Sequence, residues 1–194
     1  MTPKSAAVVS SHWRRPALGC LKLNVDAAVF EGGDAIGIGG IIRDSEGVIL
    51  TCWALKVTGR FDILSAELIA IREGIRLAID FGCPLHEIES DSLLAVHVIS
   101  QPQPFSVVAS IVQDIIFLIS SAGYGFCQHI LRASNMVVHD LASFVICSLV
   151  NKVWGDSCPY FIKICNCRSS AIRTSQFQKK KVDKEYIIKT ETER

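Results

Sequence analysis

Four acidic side chains carry the chemistry this chain could perform: Asp26 in an alternating run, Glu67 early in a helical run, Asp91 where a short run ends, and Asp140 in the last helix-like run. Carboxylates drawn together from separate elements bind hard divalent cations, and such cations activate water for phosphodiester hydrolysis. Each acid also has an ordinary explanation. Asp26 could be a hydrogen-bonded residue near a sheet end, although central strands rarely keep an unpaired acid. Glu67 suits a helix start, where negative charge gains ~0.3–1 kcal/mol. Asp91 or Ser90 suits a helix cap, and Asp140 a solvated helix face. Taken singly, the last three read as structural, so their meaning depends on whether the fold gathers them.

Beside Asp140 stands His139, in the run "SNMVVHDLAS". One helical step turns the chain by ~100°, so the two side chains cannot enter one pocket. Val137, Val138, Leu141, Ala142, Val145, Ile146 and Leu149 form an apolar stripe. His139 falls on its border, near Asn135 four residues earlier, whereas Asp140 points nearly opposite.

The elements that must position these residues follow from periodicity. In "LKLNVDAAVF" (21–30), Leu21, Leu23 and Val25 alternate with Lys22, Asn24 and Asp26, the period of a strand, so Asp26 points away from the Leu/Val face. Two more β-rich runs over 36–57 are joined by the turn "RDSEG", which predicts an antiparallel meander. The period then changes. Leu64, Leu68, Ile71, Ile75 and Ala78 make a helical stripe that Gly82 and Pro84 stop. A short strand ending at Asp91, a helix over 92–100 stopped by "QPQP", a helix over 106–123, a strand over 124–132 and a helix over 134–152 complete the order βββαβααβα. Strands interleaved with helices after a meander imply an α/β mixed sheet flanked by helices.

A chain of 194 residues that is 49% hydrophobic holds one domain with a substantial core. The boundaries expected are an N-terminal extension over 1–19, the domain over 20–152, and a C-terminal extension over 153–194 that lacks apolar period. The formal charge of +1 hides an asymmetry: residues 1–152 carry eleven Lys/Arg against fourteen Asp/Glu, and residues 153–194 nine against five. The body offers no broad basic surface for capturing phosphate by charge alone, so nucleic-acid binding there must be local or cation-assisted. Most of the eight cysteines sit singly among apolar residues, the pattern of reduced thiols. Cys158, Cys165 and Cys167 cluster without an evident fourth zinc ligand. Gln113 and Asp114 interrupt the longest apolar run, so no membrane span is expected. Residues 1–25 are basic and free of acid, yet the Trp-Arg-Arg-Pro segment fits an organellar leader poorly. Nucleus or cytoplasm is the expected compartment.

Taken in order, "WRRPALGCLKLNVDAA", "GIGGIIRDSEG", "SAELIAIREGIRLA", "IESDS", "RASNMVVHDLA" and "WGDSCPYF" resemble the plant ribonuclease-H-like domain family associated with non-LTR retroelement reverse transcriptases. The likeness covers about residues 13–162; the rest finds no counterpart in it. It implies a five-stranded mixed sheet with helices on its flanks and the acids at one face. It implies further that Asp26, Glu67 and Asp91 are metal ligands for two magnesium ions, manganese being the alternative. The activity implied is hydrolysis of the RNA strand of RNA–DNA hybrids, leaving 3′-hydroxyl and 5′-phosphate ends, by a monomer. Aligning Asn135 and the following Leu-Ala with the family pattern puts His139 at the fourth acidic position, and the border position on the helix agrees. His139 therefore joins the catalytic set Asp26, Glu67 and Asp91. Magnesium prefers oxygen, so a histidine weakens that position.

Substrate contact is expected from Ala27, Gly39, Gly40, Arg132 and Asn135. Ala27 stands where the family commonly has glycine, and a methyl there crowds a backbone near substrate. The "GIGG" backbone at Gly39 and Gly40 is expected against the minor groove. Arg132 stands in for a histidine that some relatives carry in the loop before the last helix; its ordinary role is a surface charge. The alternative function is a catalytically weak or inactive nucleic-acid-binding or interaction module derived from a retroelement. His139, Ala27 and the acidic body favour it. Three acids that repel one another without cations disfavour it.

Overall fold

The structure, a computed structural model, describes residues 13–30, 32–123, 125–148 and 151–155. The cysteine cluster at 158–167, the tail over 163–194, residues 1–12 and Leu149 lie outside the described residues. The strands and helices run β1 (Lys22–Val29), β2 (Ala35–Arg43), β3 (Ile49–Thr58), α1 (Ile63–Asp80), β4 (Glu87–Ser90), α2 (Leu93–Ser100), α3 (Ala109–Ser121), β5 (Phe126–His129), α4 (Arg132–Ser148) and β6 (Lys152–Trp154).

The expected meander is present: β1 pairs antiparallel with β2, and β2 with β3. Asp44 closes its turn by accepting from the amides of Glu46 and Val48, both at 2.9 Å, and Gly47 supplies the positive φ of 84°. β4 returns parallel to β1, and β5 parallel to β4, giving the sheet order β5-β4-β1-β2-β3-β6. The sheet has six strands rather than the five expected. β6 pairs with β3 at the far edge, where Thr51 Oγ1 donates to the Trp154 carbonyl at 3.0 Å. The last helix is described over Arg132–Ser148, and Lys152, where it was expected to end, belongs to β6. Packed contacts also cross both sequence-drawn boundaries. Trp154 stacks obliquely on Phe144, and Trp13 lies against Lys22 and Arg43.

Each face of the sheet has its own core. Leu23, Val25, Ile36, Ile38 and Trp53 meet α1, α2 and α3 on one face; Ile41, Cys52 and Ala54 meet Val138, Leu141 and Val145 of α4 on the other. Burial on both faces is why Lys22, Asn24 and Asp26, the polar side of β1, are enclosed rather than solvated.

The "GIGG" glycines set these distances. A Cβ on Gly39 would overlap the Val138 carbonyl oxygen of α4 and lie 2.7 Å from the Ala142 amide nitrogen; one on Gly40 would overlap the Trp53 ring. Both residues are buried, Gly39 beneath α4 and Gly40 beneath the Trp53 indole. Glycine in this strand admits a helix on one face and an indole on the other.

Candidate active site

β1 is flanked by β2 and β4, and its buried register carries Asp26 to the end of the sheet where β4 stops. Lys22 pairs with Glu87 and Asn24 with Glu89 in parallel register, and two residues further along both strands bring Asp26 and Asp91 level. Asp91 follows the last residue of β4 and does not cap α2. Ser92 does, its hydroxyl accepting from the Ala95 amide at 3.3 Å. Asp62 caps α1 by accepting from the Ser65 amide at 2.9 Å, and the second turn of that helix carries Glu67 into the interior.

The three acids act on one another. Burial, then the charge of Asp91, push the Asp26 carboxyl up to about 7, against the hydrogen bond from His139 that favours its ionised form. Burial, followed by the charges of Asp26 and Asp91, raises Glu67 to about 8, with Arg132 and the Ala27 amide opposing. Among the described residues three buried side-chain polar atoms lack a hydrogen-bond partner, and two are here: Asp26 Oδ1 and Glu67 Oε2. An unanswered buried oxygen carries the full desolvation penalty, so its presence calls for a reason.

α4 closes the site. His139 Nδ1 lies 2.7 Å from Asp26 Oδ2, so the imidazole and not Asp140 faces the acids. Asn135, almost wholly buried, donates to the Val25 carbonyl at 2.8 Å and to Asp91 Oδ1 at 3.1 Å, which ties β1, β4 and α4 together at one point. It is a structural clamp in this position rather than an exposed substrate contact. Arg132 Nη1 donates to Asp91 Oδ2 at 3.1 Å, and its Nη2 lies 3.0 and 3.1 Å from the two ring nitrogens of His139. Its role as a bare surface charge is thereby excluded. The Ala27 methyl faces the core on the α1 side, so it crowds no groove.

The sequence reading missed the polar layer behind the site. Lys22 bonds Glu89 at 2.7 Å and Glu87 at 2.9 Å, Asn24 donates to Glu89 at 2.8 Å, and Arg43 and Trp13 donate to Asn24 Oδ1 at 3.1 and 2.9 Å. The signal was the alternation Lys-x-Asn-x-Asp in β1 against Glu-x-Glu-x-Asp at β4, two polar rows that pair only once the strands are known to be parallel neighbours.

The donor set suits a hard divalent cation: three carboxylates, two with an unpartnered buried oxygen. As the side chains stand, no three His, Cys, Asp and Glu groups among the described residues are arranged as ligands. Asp91 is turned to Arg132 and Asn135, and Asp26 to His139.

The profile of the reverse transcriptase-like family matches residues 24–145, a span that runs from the polar row of β1 into α4 and holds every residue of this site. The chain belongs to that family. Its fold is that of ribonuclease H domains. The N-terminal ribonuclease H domain of a Mycobacterium tuberculosis protein, solved as a fusion with maltose-binding protein, superposes with a TM-score of 0.57 at 16% identity, over 66% of this chain and 94% of that one. Ribonuclease H1 of the archaeon Halobacterium salinarum gives 0.55 at 20% identity, over 67% and 99%. LC11 ribonuclease H1, isolated from compost and solved with an RNA/DNA hybrid, gives 0.59 at 19% identity, over 66% and 98%. No curated protein matches the chain. At these identities the structural likenesses speak for the family's fold; the chemistry has to come from the residues present.

Proposed function

We propose that this domain is a divalent-cation-dependent endonuclease that hydrolyses the RNA strand of RNA–DNA hybrids, acting as a monomer in the nucleus or cytoplasm. One observation carries the reading. Buried carboxylates that raise one another's pKa meet at the end of β1 and β4, and two of them keep an unanswered oxygen.

Asp26, Glu67 and Asp91 would hold the cations, magnesium or manganese. Bound there, such ions supply an acidified water and neutralise charge gathering on the phosphodiester. The chain's own groups do the rest. His139, as the Nδ1–H tautomer, donates to Asp26 and fixes the orientation of that carboxylate. Asn135 holds Asp91 beside Val25, so the ends of β1 and β4 cannot drift apart. Glu67 would also accept from a 2′-hydroxyl, the group that separates RNA from DNA. Family membership supports a nucleic-acid substrate.

The test is cleavage of labelled hybrid with magnesium or manganese, beside RNA-duplex and DNA-duplex controls, by the native chain and by Asp26→Asn. Loss of at least ~100-fold in the variant is expected, the scale of removing a group that stabilises transition-state charge. Equal cleavage by both proteins removes the proposal. A second reading, a nucleic-acid-binding module with little catalytic power, is favoured by the hold of Arg132 and His139 on the acids. Hybrid binding without cleavage by the native chain selects it.

A further inference from the structure

A cation already sits among these acids, and it belongs to the chain. Arg132 opens α4 with a side chain that is 55% exposed, yet its guanidinium reaches the Asp91 carboxylate, which is only 4% exposed. The same group touches His139, whose other contact is Asp26. Arg132 Nη2 lies 3.0 and 3.1 Å from the two ring nitrogens, so the guanidinium rests against the imidazole while Nδ1 meets Asp26, and one path of contacts runs Asp91–Arg132–His139–Asp26. We infer that Arg132 is an internal counter-ion that competes with divalent cations for Asp91 and, through His139, for Asp26.

The chemistry is one of shared lone pairs. Asp91 Oδ2 accepts from the guanidinium while Oδ1 accepts from Asn135. A neutral amide beside a carboxylate orients it for a metal; a guanidinium on the other oxygen takes the place a metal would. Arginine stays charged throughout the accessible pH range, so the oxygen is freed only by moving the side chain. That movement is open to it. The group is anchored on exposed ground at the first residue of a helix, and no core residue has to shift. Asn135 is held by Val25 and stays. A half-exposed ion pair of this kind is weak, so the competition is modest, roughly three- to tenfold in cation affinity.

The inference rests on reading the acids as a cation site, but it needs no cleavage. The test is therefore binding of manganese to the full chain without nucleic acid, followed by loss of the free-ion electron paramagnetic resonance signal and by the rise in melting temperature. Arg132→Gln is expected to lower the half-saturating manganese concentration three- to tenfold. Arg132→Lys, which cannot span Asp91 and His139 with a planar fork, is expected between native and Gln. Asp91→Asn should weaken binding in either background. A merely structural arginine would lower the melting temperature equally at every manganese concentration and leave the midpoint in place. An unchanged or raised midpoint in Arg132→Gln overturns the inference, as does binding that ignores Asp91→Asn, or no binding by native and variant alike. A lowered midpoint with no hybrid cleavage by any variant sinks the nuclease reading and leaves the counter-ion standing.

Discussion

Two polar clusters share the same pair of strands and the same side of the sheet, a single alternation apart. Lys22 and Asn24 of β1 stand beside Glu87 and Glu89 of β4; Asp26 and Asp91 come next along. Lys22, Asn24 and Asp26 are alike in burial. In the first cluster Lys22 answers Glu87 and Glu89, and Asn24 is bonded by Trp13, Arg43 and its own amide to Glu89. In the second, Asp26 and Glu67 each keep an oxygen that nothing answers. Polar burial alone therefore does not mark a site; two interacting carboxylates that each keep an unanswered oxygen do. The first cluster is scaffold, and the second is held ready by it.

Perturbing either member should separate them. Lys22→Met leaves buried Glu89 and half-buried Glu87 without their cation and is expected to cost about 3–5 kcal/mol in urea unfolding, with cleavage per folded molecule retained. A loss under ~1 kcal/mol would mean that this cluster is not the scaffold claimed.

The second cluster should behave in the opposite sense. Asp26 and Glu67 have folded-state values raised to about 7 and about 8 from 3.8 and 4.5. The native state thus holds protons that the unfolded chain has released, and the contribution of this pair to stability is complete below about pH 4. It should fall as pH rises through about 8, by on the order of 2–4 kcal/mol in metal-free buffer. Urea midpoints across that range check the sign, and stability that climbed with pH would contradict it.

Gly39→Ala, which pushes a methyl into the α4 backbone, is expected to cost ~1–3 kcal/mol and to loosen the His139 contact with Asp26. Full stability in that variant would mean that α4 is not seated through this glycine. The smallest shift belongs to Asp26→Asn, within ~1 kcal/mol of native or above it at pH 8, because an amide there no longer has to be buried as an anion. Strong destabilisation would make Asp26 a scaffold residue and erase the contrast.

Much of this was legible before coordinates. Alternation in β1, the Asp-Ser-Glu-Gly turn and the stripe of α1 reflect local periodicity, which a single sequence carries in full. His139 came from the family pattern, and a helical wheel, which is also local, agreed with it. The errors share one cause, contact across distant segments. The packing of Gly39 and Gly40 was hidden because a strand glycine announces close approach without saying what approaches. The three residues of β6 are too few to show a period, and their pairing with β3 lies about a hundred positions away. The bridge from Arg132 to Asp91 was out of reach because only the fold brings the start of α4 to the end of β4. The bonds joining Lys22, Asn24 and Glu89 were out of reach because alternation predicts two faces and is silent on whether both are covered.

Gly37 and Gly39 leave no gap between β2 and α4: a Cβ on either would meet helix backbone. The helix axis is consequently dictated by main-chain contact, whatever side chain stands at 139. That position is a socket of fixed aim, and its occupant can be exchanged, histidine for carboxylate or the reverse, without redrawing the architecture around it. A lineage could turn the potency of the neighbouring acids up or down by a single codon.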